Sequence, residues 1–378
     1  MKVLVIEPYY GGSHKFFHDQ LCSSLRESGR DVLELTMKPR HWRWRMQGAH
    51  FELAPRINAL LKQYDLEFIW ISSIVDICAL KGLLCARVPF VTFFHEHQMS
   101  YPLKKGQSRS AQELLRDEVL PGLHASQLLS SDLCLFSSDY NRDSFFLGLQ
   151  RFFNSRPEKL STGLNNIKES HFQRTRVCPL PLLGPFKEAV DFQSRPRRLL
   201  WNHRWEFDKD PDTFIELVIE LKDKGHDFEL ELLGQEKRGI FDSLKEDAAL
   251  RISSFGGPVD RNDYLERLSF CRVLPVTSRH DFFGLSVREA ILSGVIPLLP
   301  DRMVYPECIP EHLHKLLIYK DKTDLIGKCD VLLEQGLRED QFESLILHNQ
   351  KYDLERFERD VGEFLSLLNP NGKKADKE

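Results

Sequence analysis

His280-Asp281-Phe282-Phe283-Gly284-Leu285-Ser286-Val287-Arg288-Glu289-Ala290 is the stretch that says most about the fold and function of this chain. It spaces two carboxylates, Asp281 and Glu289, eight positions apart, with a Gly-Leu-Ser turn between them that begins an apolar helix. Backbone N–H groups at the start of a helix are unpaired and attract phosphates and hydroxyls. The stretch therefore predicts a ligand site, although ordinary helix capping uses the same residue types.

Apolar segments on both sides of the motif favour the functional interpretation. Residues 272–277 precede it as a predicted strand, and residues 295–299 follow it as another. Strand, helix and strand together form a βαβ unit. Ligands of such sheets bind at the carboxyl ends of the strands, which is where the motif falls.

Short apolar strands alternate with amphipathic helices along the whole chain. The predicted strands are 3–7, 31–36, 68–71, 88–94 and 133–136, followed by 199–201, 228–233, 252–255, 272–276 and 296–299. Such alternation predicts parallel sheets covered by helices. A stretch rich in proline and arginine separates the two sets, as is typical of a linker. We therefore expect an α/β protein with two tandem Rossmann-like domains facing a cleft.

The predicted domain boundaries follow from this division. The N-terminal Rossmann-like domain covers 1–177, a linker covers 178–197, and the C-terminal Rossmann-like domain covers 198–340. Residues 341–369 are expected to form C-terminal helices that pack back on the N-terminal domain. Residues 370–378, which follow the helical pattern, are expected to be a disordered tail.

Composition restricts the class of protein. The 378 residues are 42% hydrophobic and 29% charged, which is typical of a globular protein of two domains. No apolar run approaches the roughly 20 residues of a membrane span, so no membrane partner is expected. The net charge of −4 gives no overall attraction to nucleic acid, so any such binding needs a local patch. Eight cysteines without a Cys-x-x-Cys pair predict reduced thiols and a cytoplasmic location.

The first loop of the second predicted domain contains candidate phosphate ligands. Arg204 and Lys209 lie in Trp201-Asn202-His203-Arg204-Trp205-Glu206-Phe207-Asp208-Lys209, directly after a predicted strand. Departure of a nucleoside diphosphate builds negative charge that fixed cations stabilise. Two solvated loop cations are the simpler alternative. The loop has Asp-x-Asp spacing at Asp208 and Asp210 but no histidine cluster, and with two cations in the same loop no metal and no other cofactor is expected.

A glycine-rich turn follows the first strand of the chain. In Tyr9-Tyr10-Gly11-Gly12-Ser13-His14-Lys15, the two glycines allow a ligand to approach the backbone. The helix that starts after them can accept an anion or a hydroxyl, with Ser13 and His14 beside it. The pattern is not Gly-x-Gly-x-x-Gly, which argues against an NAD-dependent oxidoreductase.

Polar residues also follow the strand 88–94. His95 and Glu96 are candidates to hydrogen-bond an acceptor or a transferred sugar. A metal site formed with His97 is the competing interpretation, but no third ligand is evident in the sequence.

Basic and aromatic residues alternate in Lys38-Pro39-Arg40-His41-Trp42-Arg43-Trp44-Arg45. Further along the chain, Lys104 and Lys105 supply two more positive charges. Arginines such as Arg43 and Arg45 pair with phosphates, while aromatic rings stack on unpaired bases of RNA loops. A loop whose tryptophans belong to the core is the alternative.

The acidic motif resembles the donor-sugar motif of retaining glycosyltransferases of family four. That motif usually begins with Glu, whereas this chain has Asp281. Taken with the N-terminal motifs, the chain resembles the tRNA-queuosine mannosyltransferase family from the first strand to about Glu307. The residues that carry this resemblance are Tyr10-Gly11-Gly12-Ser13-His14, Trp42-Arg43-Trp44-Arg45, Phe94-His95-Glu96-His97-Gln98, Tyr101-Pro102, Lys104-Lys105 and His280-Asp281-Phe282-Phe283-Gly284. His97 departs from the expected pattern, which has Asn.

The resemblance implies a GT-B glycosyltransferase fold, with tRNA bound by the N-terminal domain and a nucleotide sugar by the C-terminal one. It implies transfer of mannose from GDP-mannose, with retention, to the cyclopentenediol of queuosine in tRNA-Asp. It implies that Arg204 and Lys209 hold the diphosphate, that Glu289 positions the ribose, and that Asp281 holds sugar hydroxyls.

The site residues expected on this basis fall into three groups. Those expected to act in the transfer are Asp281, Glu289, Arg204, Lys209 and His95. Those expected to bind the donor are Asn202, Arg204, Lys209, Gly234, His280, Asp281, Phe283, Gly284, Leu285, Ser286 and Glu289. Those expected to bind the acceptor are Gly11, Gly12, Ser13, His14, Arg43, Arg45, His95, Glu96, Lys104 and Lys105.

Two alternatives stay open at this point. One is a retaining glycosyltransferase that acts on a small molecule or a lipid, and the other is a tRNA-binding protein without catalysis. The sequence indicates neither the oligomeric state nor which hexose is transferred, because hexose epimers differ by a single hydroxyl.

Overall fold

The computed structural model describes residues 1–100, 111–155, 172–184, 186, 194–235, 239–257 and 260–368. These residues divide into two units. The first comprises those up to Pro181 together with those from Glu355, and the second runs from Leu182 to Leu354. None of the helices in these ranges combines the length and the hydropathy needed to cross a lipid bilayer.

The first unit is built on a six-stranded parallel sheet. Its strands are β1 (Lys2–Glu7), β2 (Asp31–Thr36), β3 (Leu66–Ser72), β4 (Phe90–Phe94), β5 (Leu133–Phe136) and β6 (Thr175–Val177). They lie in the order β2-β1-β3-β4-β5-β6, and their pairings are parallel. The helices between them are α1 (Gly12–Glu27), α2 (Trp42–Leu61), α3 (Ile77–Leu83), α4 (Ala111–Ser130) and α5 (Asp139–Asn154).

The second unit also has a six-stranded parallel sheet. Its strands are β7 (Arg198–Trp201), β8 (Glu229–Leu232), β9 (Arg251–Phe255), β10 (Val273–Pro275), β11 (Ile296–Pro300) and β12 (Ile318–Tyr319), in the order β12-β11-β10-β7-β8-β9. Its helices are α6 (Pro211–Asp223), α7 (Asp242–Glu246), α8 (Arg261–Ser269), α9 (Leu285–Leu292), α10 (His314–Leu317), α11 (Lys322–Gln335) and α12 (Glu339–Gln350). The last described helix, α13 (Leu354–Ser366), belongs to the first unit from Glu355 onward. There the centroids of the Phe357 and Phe17 rings lie 5.6 Å apart.

Burial of the strands explains why they read as continuous apolar runs. In β4, Phe90, Val91, Phe93 and Phe94 are all fully buried. A parallel strand covered by helices on both faces has no solvent side, so its sequence does not alternate. The candidate site residues lie beyond the ends of such strands, in the loops that follow β1, β4, β7 and β10.

The α/β fold predicted from the sequence is confirmed, and every predicted strand is present. The strands β6 and β12 were not predicted, because they have only three and two residues and lie at sheet edges. The basic and aromatic stretch is not a simple loop, since α2 begins at Trp42 within it. The predicted tail 370–378 lies outside the described residues.

Candidate functional site

Asn202 links the two loops of the second unit that the sequence singled out. It follows β7, and its side-chain amide donates to the backbone oxygen of Ser286 at 2.8 Å and to the Tyr264 hydroxyl at 3.2 Å. His203 makes a second link, because its Nδ1 lies 3.3 Å from the Ser286 hydroxyl. The loop after β7 and the start of α9 are thus held together, which brings two segments with predicted donor-site residues into contact.

Lys209 and Arg204 occupy different environments in the same loop. Lys209 is buried, and its ammonium donates to the backbone oxygen of His280 at 2.5 Å and lies 4.0 Å from the Asp281 carboxylate. The Arg204 side chain is 62% exposed and lies 3.5 Å from the buried Asp208 carboxylate. Lys209 is therefore fixed beside the acidic motif, while the Arg204 guanidinium reaches solvent and can contact a ligand.

Asp281 organises the turn of the acidic motif. Its Oδ1 accepts the N–H groups of Gly284 at 2.8 Å and Phe283 at 3.2 Å, while its Oδ2 lies 3.4 Å from the Tyr305 hydroxyl. Burial alone would raise the pKa of Asp281, but the Lys209 charge and these N–H groups hold it below its usual value. The carboxylate is therefore ionised, and it occupies two N–H groups that the sequence left available for a sugar.

Gly284 and Gly234 are required by the chain's own packing. Gly284 has φ +73°, and a Cβ there would lie 3.2 Å from the Cys308 sulfur. Gly234 follows β8 with φ +116°, and a Cβ there would lie 2.2 Å from the backbone oxygen of His203. The close approach at Gly234 is thus to the backbone of the loop after β7.

Glu289 is buried in α9 beside a cation that the sequence did not indicate. Its carboxylate lies 2.9 Å from the Arg261 guanidinium, which α8 supplies. Burial raises the pKa of Glu289, and Arg261 and the Tyr264 hydroxyl oppose that shift. Leu285 and Ser286 form the first turn of α9, and His280 and Phe283 are buried in the loop before it.

In the first unit, the glycine-rich turn leads from β1 into α1. A Cβ at Gly11 would lie 2.6 Å from the Pro39 side chain, and Gly12 has φ +54°. Gly12 and Ser13 are exposed, whereas His14 is buried. Close packing and backbone conformation therefore account for the two glycines, and the turn leaves Ser13 at the surface.

His14 and His95 meet over a buried carboxylate. Glu7 ends β1, and its Oε2 lies 3.4 Å from His14 Nδ1 and 3.6 Å from His95 Nε2. Its Oε1 accepts the Tyr9 N–H at 2.8 Å and the Ser72 hydroxyl at 3.0 Å. The sequence predicted both histidines as site residues but missed Glu7. An acid at the carboxyl end of the first strand was the available signal.

The loop after β4 places His97 and Glu96 in different environments. The Asn141 amide of α5 donates to the backbone oxygen of Phe94 at 2.7 Å and holds the start of this loop. His97 is fully buried, and its Nε2 lies 2.9 Å from the Ser144 hydroxyl. Glu96 is half-buried, with its carboxylate 3.4 Å from the Gln98 amide. His97 therefore has a structural role here, while His95 and Glu96 remain candidates for ligand contact.

Two groups of described residues could offer ligand atoms to a metal, namely Glu7-His14-His95 and His18-Cys22-Glu34. Within each group, the ligand atoms lie within 4.8 Å of one another. In the first group the imidazole centroids are only 4.0 Å apart. Two imidazoles that share a tetrahedral zinc, with Zn–N bonds of about 2.0–2.1 Å, hold their centroids roughly 5 Å apart. In the second, His18 and Glu34 are in direct contact at 2.9 Å. The contacts that these groups make in the structure are imidazole packing in the first and an ion pair in the second.

The start of α2 presents the predicted basic and aromatic residues. Arg43 is exposed with its guanidinium 5.3 Å from the centre of the Trp42 ring, and the Trp44 side chain is 61% exposed. Arg45 differs, since its side chain is 12% exposed and 3.7 Å from the Glu52 carboxylate. Arg43 and Trp44 thus form the accessible part of this stretch. Lys104 and Lys105, together with Tyr101 and Pro102, lie outside the described residues.

Comparison with solved structures concerns the fold. The chain is similar to a glycosyltransferase from Rickettsia africae ESF-5 (TM-score 0.67, 13% identity, 98% of this chain and 99% of that one). It is similar to sucrose-phosphate synthase from Thermosynechococcus elongatus (TM-score 0.68, 15% identity, 97% and 99%). These likenesses and the two parallel α/β sheets confirm the predicted GT-B fold.

Comparison of sequences identifies the family. Residues 2–182 match the model of the tRNA-queuosine alpha-mannosyltransferase N-terminal domain, and residues 186–344 match that of group 1 glycosyl transferases. A tRNA-queuosine alpha-mannosyltransferase from Drosophila melanogaster is 30% identical over 325 residues, which are 82% of this chain and 82% of that protein. By this relationship, which runs through both units, the chain is a glycosyltransferase that belongs to the tRNA-queuosine alpha-mannosyltransferase family.

Proposed function

We propose that this protein transfers mannose from GDP-mannose, with retention of configuration, to the cyclopentenediol of queuosine in tRNA-Asp. The observation that carries the proposal is the 30% identity to the tRNA-queuosine alpha-mannosyltransferase from Drosophila melanogaster. The matched N-terminal family region, residues 2–182, includes Glu7, His14 and His95. The proposed donor residues fall in the region that matches group 1 glycosyl transferases.

On the donor side, charge accounts for the proposed roles. Arg204, whose guanidinium reaches solvent, and Lys209, which lies 4.0 Å from Asp281, would stabilise the departing diphosphate. Asp281 is ionised and can accept hydrogen bonds from sugar hydroxyls. Glu289 can accept hydrogen bonds from the ribose hydroxyls, with Arg261 opposing its protonation.

The proposed reaction is a front-face displacement. The acceptor hydroxyl attacks the anomeric carbon on the face from which the diphosphate departs, and the C–O bond to that phosphate breaks. The acceptor hydroxyl attacks directly, so no protein nucleophile is needed, and its proton passes to the departing phosphate oxygen, which takes the place of a general base. Fixed cations lower the barrier because they stabilise charge that develops only as the diphosphate leaves. We propose that this arrangement needs no metal and no other cofactor.

On the acceptor side, Gly11, Gly12, Ser13 and His14 with His95 and Glu96 are proposed to bind the queuosine diol. Arg43, with Lys104 and Lys105, is proposed to bind the tRNA backbone, and Arg45 is proposed to reach a phosphate by exchanging its partner Glu52 for it. We place the reaction in the cytoplasm, because all eight cysteines are free thiols, as is usual in a reducing compartment.

A transfer assay tests the proposal. Purified protein is incubated in EDTA with tRNA that contains or lacks queuosine, and with GDP-mannose, UDP-glucose or UDP-galactose. The tRNA is then digested, and the masses of its nucleosides are measured by mass spectrometry. We expect a hexose gain only on queuosine, and only with GDP-mannose.

The other outcomes separate the alternatives. A hexose gain with a UDP-sugar would contradict GDP-mannose as the donor. A hexose gain on tRNA without queuosine would contradict queuosine as the acceptor. Donor hydrolysis without any gain on tRNA would favour a small-molecule or lipid acceptor. Binding of tRNA without hydrolysis would favour a protein without catalysis. Transfer only when a divalent metal replaces EDTA would contradict the metal-free mechanism.

Replacement of Arg43 with Ala is expected to weaken tRNA binding and to reduce its salt dependence. Each phosphate contact contributes about 0.7–0.9 to the slope of log K against log salt, so the slope should fall by about one. Titration of labelled tRNA at several salt concentrations measures it. Arg56→Ala is the matched control, because Arg56 lies in the same helix with its side chain 43% exposed and 3.8 Å from Glu52. An unchanged slope in Arg43→Ala would remove this residue from the RNA surface.

A further inference from the structure

The carboxylate of Glu7 uses its two oxygens in different ways. Oε1 is occupied by the Tyr9 N–H and the Ser72 hydroxyl. Oε2 instead faces His14 and His95, at 3.4 and 3.6 Å. Their facing nitrogens, His14 Nδ1 and His95 Nε2, are buried and form no hydrogen bond with any of the described residues, so Oε2 is the charge that they face. A single carboxylate oxygen thus stands against two imidazole nitrogens that come from two other segments of the chain.

Only one of the two imidazoles can carry a charge here. Their centroids are 4.0 Å apart, and the side chains of Glu7, His14 and His95 are 3%, 11% and 8% exposed. Two imidazolium ions in such contact would repel strongly in a medium of low dielectric constant. One carboxylate balances one cation, so the stable state has one imidazolium and one neutral ring.

The neighbouring charges select His14 as the cation. Glu7 and Glu96 act against burial and raise the pKa of His14. Burial and the charge of His14 lower the pKa of His95 to about 4. His18 also opposes a charge on His95, and its own ring lies 2.9 Å from Glu34. Glu7 stays ionised, because His14 and His95 together hold its pKa well below the usual value despite burial.

We infer that Glu7 is a positioning residue that holds His14 as an imidazolium and His95 as the neutral tautomer with its proton on Nε2. Both rings then direct an N–H toward the Glu7 carboxylate, and the lone pair of His95 is left on Nδ1. The role of that lone pair rests on the proposed function, in which Nδ1 accepts a hydrogen bond from the acceptor hydroxyl. The proton arrangement itself does not depend on the substrate.

The chain offers a variant that changes the charge while keeping the local hydrogen bonds. Glu7→Gln retains an oxygen for the Tyr9 N–H and the Ser72 hydroxyl, and it removes the negative charge that faces the histidines. Ser72→Ala is the matched control, because it removes one hydrogen bond to Oε1 and leaves the charge in place.

Nitrogen-15 spectra of histidine-labelled protein at pH 7 report the protonation state and tautomer of each ring. The two signals are assigned by their loss in His14→Gln and His95→Gln. In the wild type we expect two protonated nitrogens in His14 and a protonated Nε2 with a bare Nδ1 in His95. Glu7→Gln should convert His14 to the neutral form, because Glu96 alone then opposes the burial that lowers the His14 pKa from its usual value of about 6.5. Ser72→Ala should keep the wild-type pattern.

Several results would overturn the inference. They are a neutral His14 in the wild type, a His14 that stays an imidazolium in Glu7→Gln, a His95 protonated on Nδ1, and one equivalent of zinc bound per chain. None of these measurements requires substrate, so they decide the proton arrangement even where the transfer assay fails.

Kinetics test the positioning role separately. With queuosine-containing tRNA and GDP-mannose, Glu7→Gln should lower kcat by a factor of about ten to a hundred, as for other residues that orient a functional histidine. KM for tRNA should stay within two-fold of the wild-type value. An unchanged kcat beside the expected spectra would reject the positioning role. No transfer by the wild type would reject the proposed function alone.

Discussion

Replacement of Arg204 with alanine is expected to lower kcat by about a hundred- to a thousand-fold, the usual cost of removing one group that stabilises charge in the transition state. The negative charge on the diphosphate grows as the bond to the sugar breaks, so a missing cation costs more in the transition state than in the ground state. KM for GDP-mannose should therefore rise by a smaller factor than kcat falls. Steady-state kinetics over a range of donor concentrations measure both.

Stability should change little in this variant. The Arg204 side chain is 62% exposed, and exposed ion pairs contribute at most about 1 kcal/mol. Lys224→Ala is the matched control, since Lys224 follows the opposite end of α6 and pairs with Asp330 at 3.1 Å while 43% exposed. Both variants lose one positive charge from the second unit. Equal activity in the two, or a loss of tRNA binding as large as the loss of kcat in Arg204→Ala, would refute the donor role of Arg204.

Lys209 would be a less informative position for the same test. It is buried beside Asp208 and Asp281, at 3.5 and 4.0 Å. Its removal would take this cation from beside Asp281 and leave Asp208 with Arg204 alone, and a buried charge that loses its partner destabilises the folded state. A loss of activity in Lys209→Ala would therefore combine two causes that Arg204→Ala separates.

The loops of the donor site were predictable because the signals for them are local. An apolar strand followed by polar residues and a helix start is visible within about 15 residues. Arg204, Lys209 and Asp281 all lie in such loops, and the structure places the last two 4.0 Å apart. The pairing of Glu7 with His14 and His95 was not predictable in this way. It depends on β1 and β4 ending at one edge of the sheet, where residues far apart in the chain meet.

Buried arginines were missed for a different reason. Arginine is rarely buried, so nothing in the sequence marks Arg288 as a core residue of its apolar helix. In the structure it is fully buried, with Tyr352 and Phe283 rings 4.4 and 5.0 Å from its guanidinium. Arg261 likewise acquires its place beside Glu289 only where α8 meets α9. Packing between helices determines both, and a single sequence carries no direct signal for it.

Replacement of Arg288 with alanine is expected to lower the free energy of unfolding of the second unit by about 3–5 kcal/mol. Its guanidinium donates to the backbone oxygen of Phe283 at 3.0 Å, to the Asn349 side-chain oxygen at 2.8 Å and to the backbone oxygen of Glu307 at 3.4 Å. Alanine would leave three buried acceptors without this donor and would open a cavity the size of an arginine side chain. Urea-induced unfolding and hydrogen exchange of the amides in α9 measure the effect.

The control and the functional consequence follow from the position of Arg288. Arg267→Ala removes an arginine of the same unit that is 35% exposed and paired with Asp263, and it should cost about 1 kcal/mol or less. Because Arg288 holds Phe283, two residues after Asp281, its loss should also loosen the acidic motif and raise KM for GDP-mannose. An Arg288→Ala protein as stable as Arg267→Ala would show that water replaces the guanidinium at these oxygens. In that case, the acidic motif would owe its shape to the Asp281 hydrogen bonds alone.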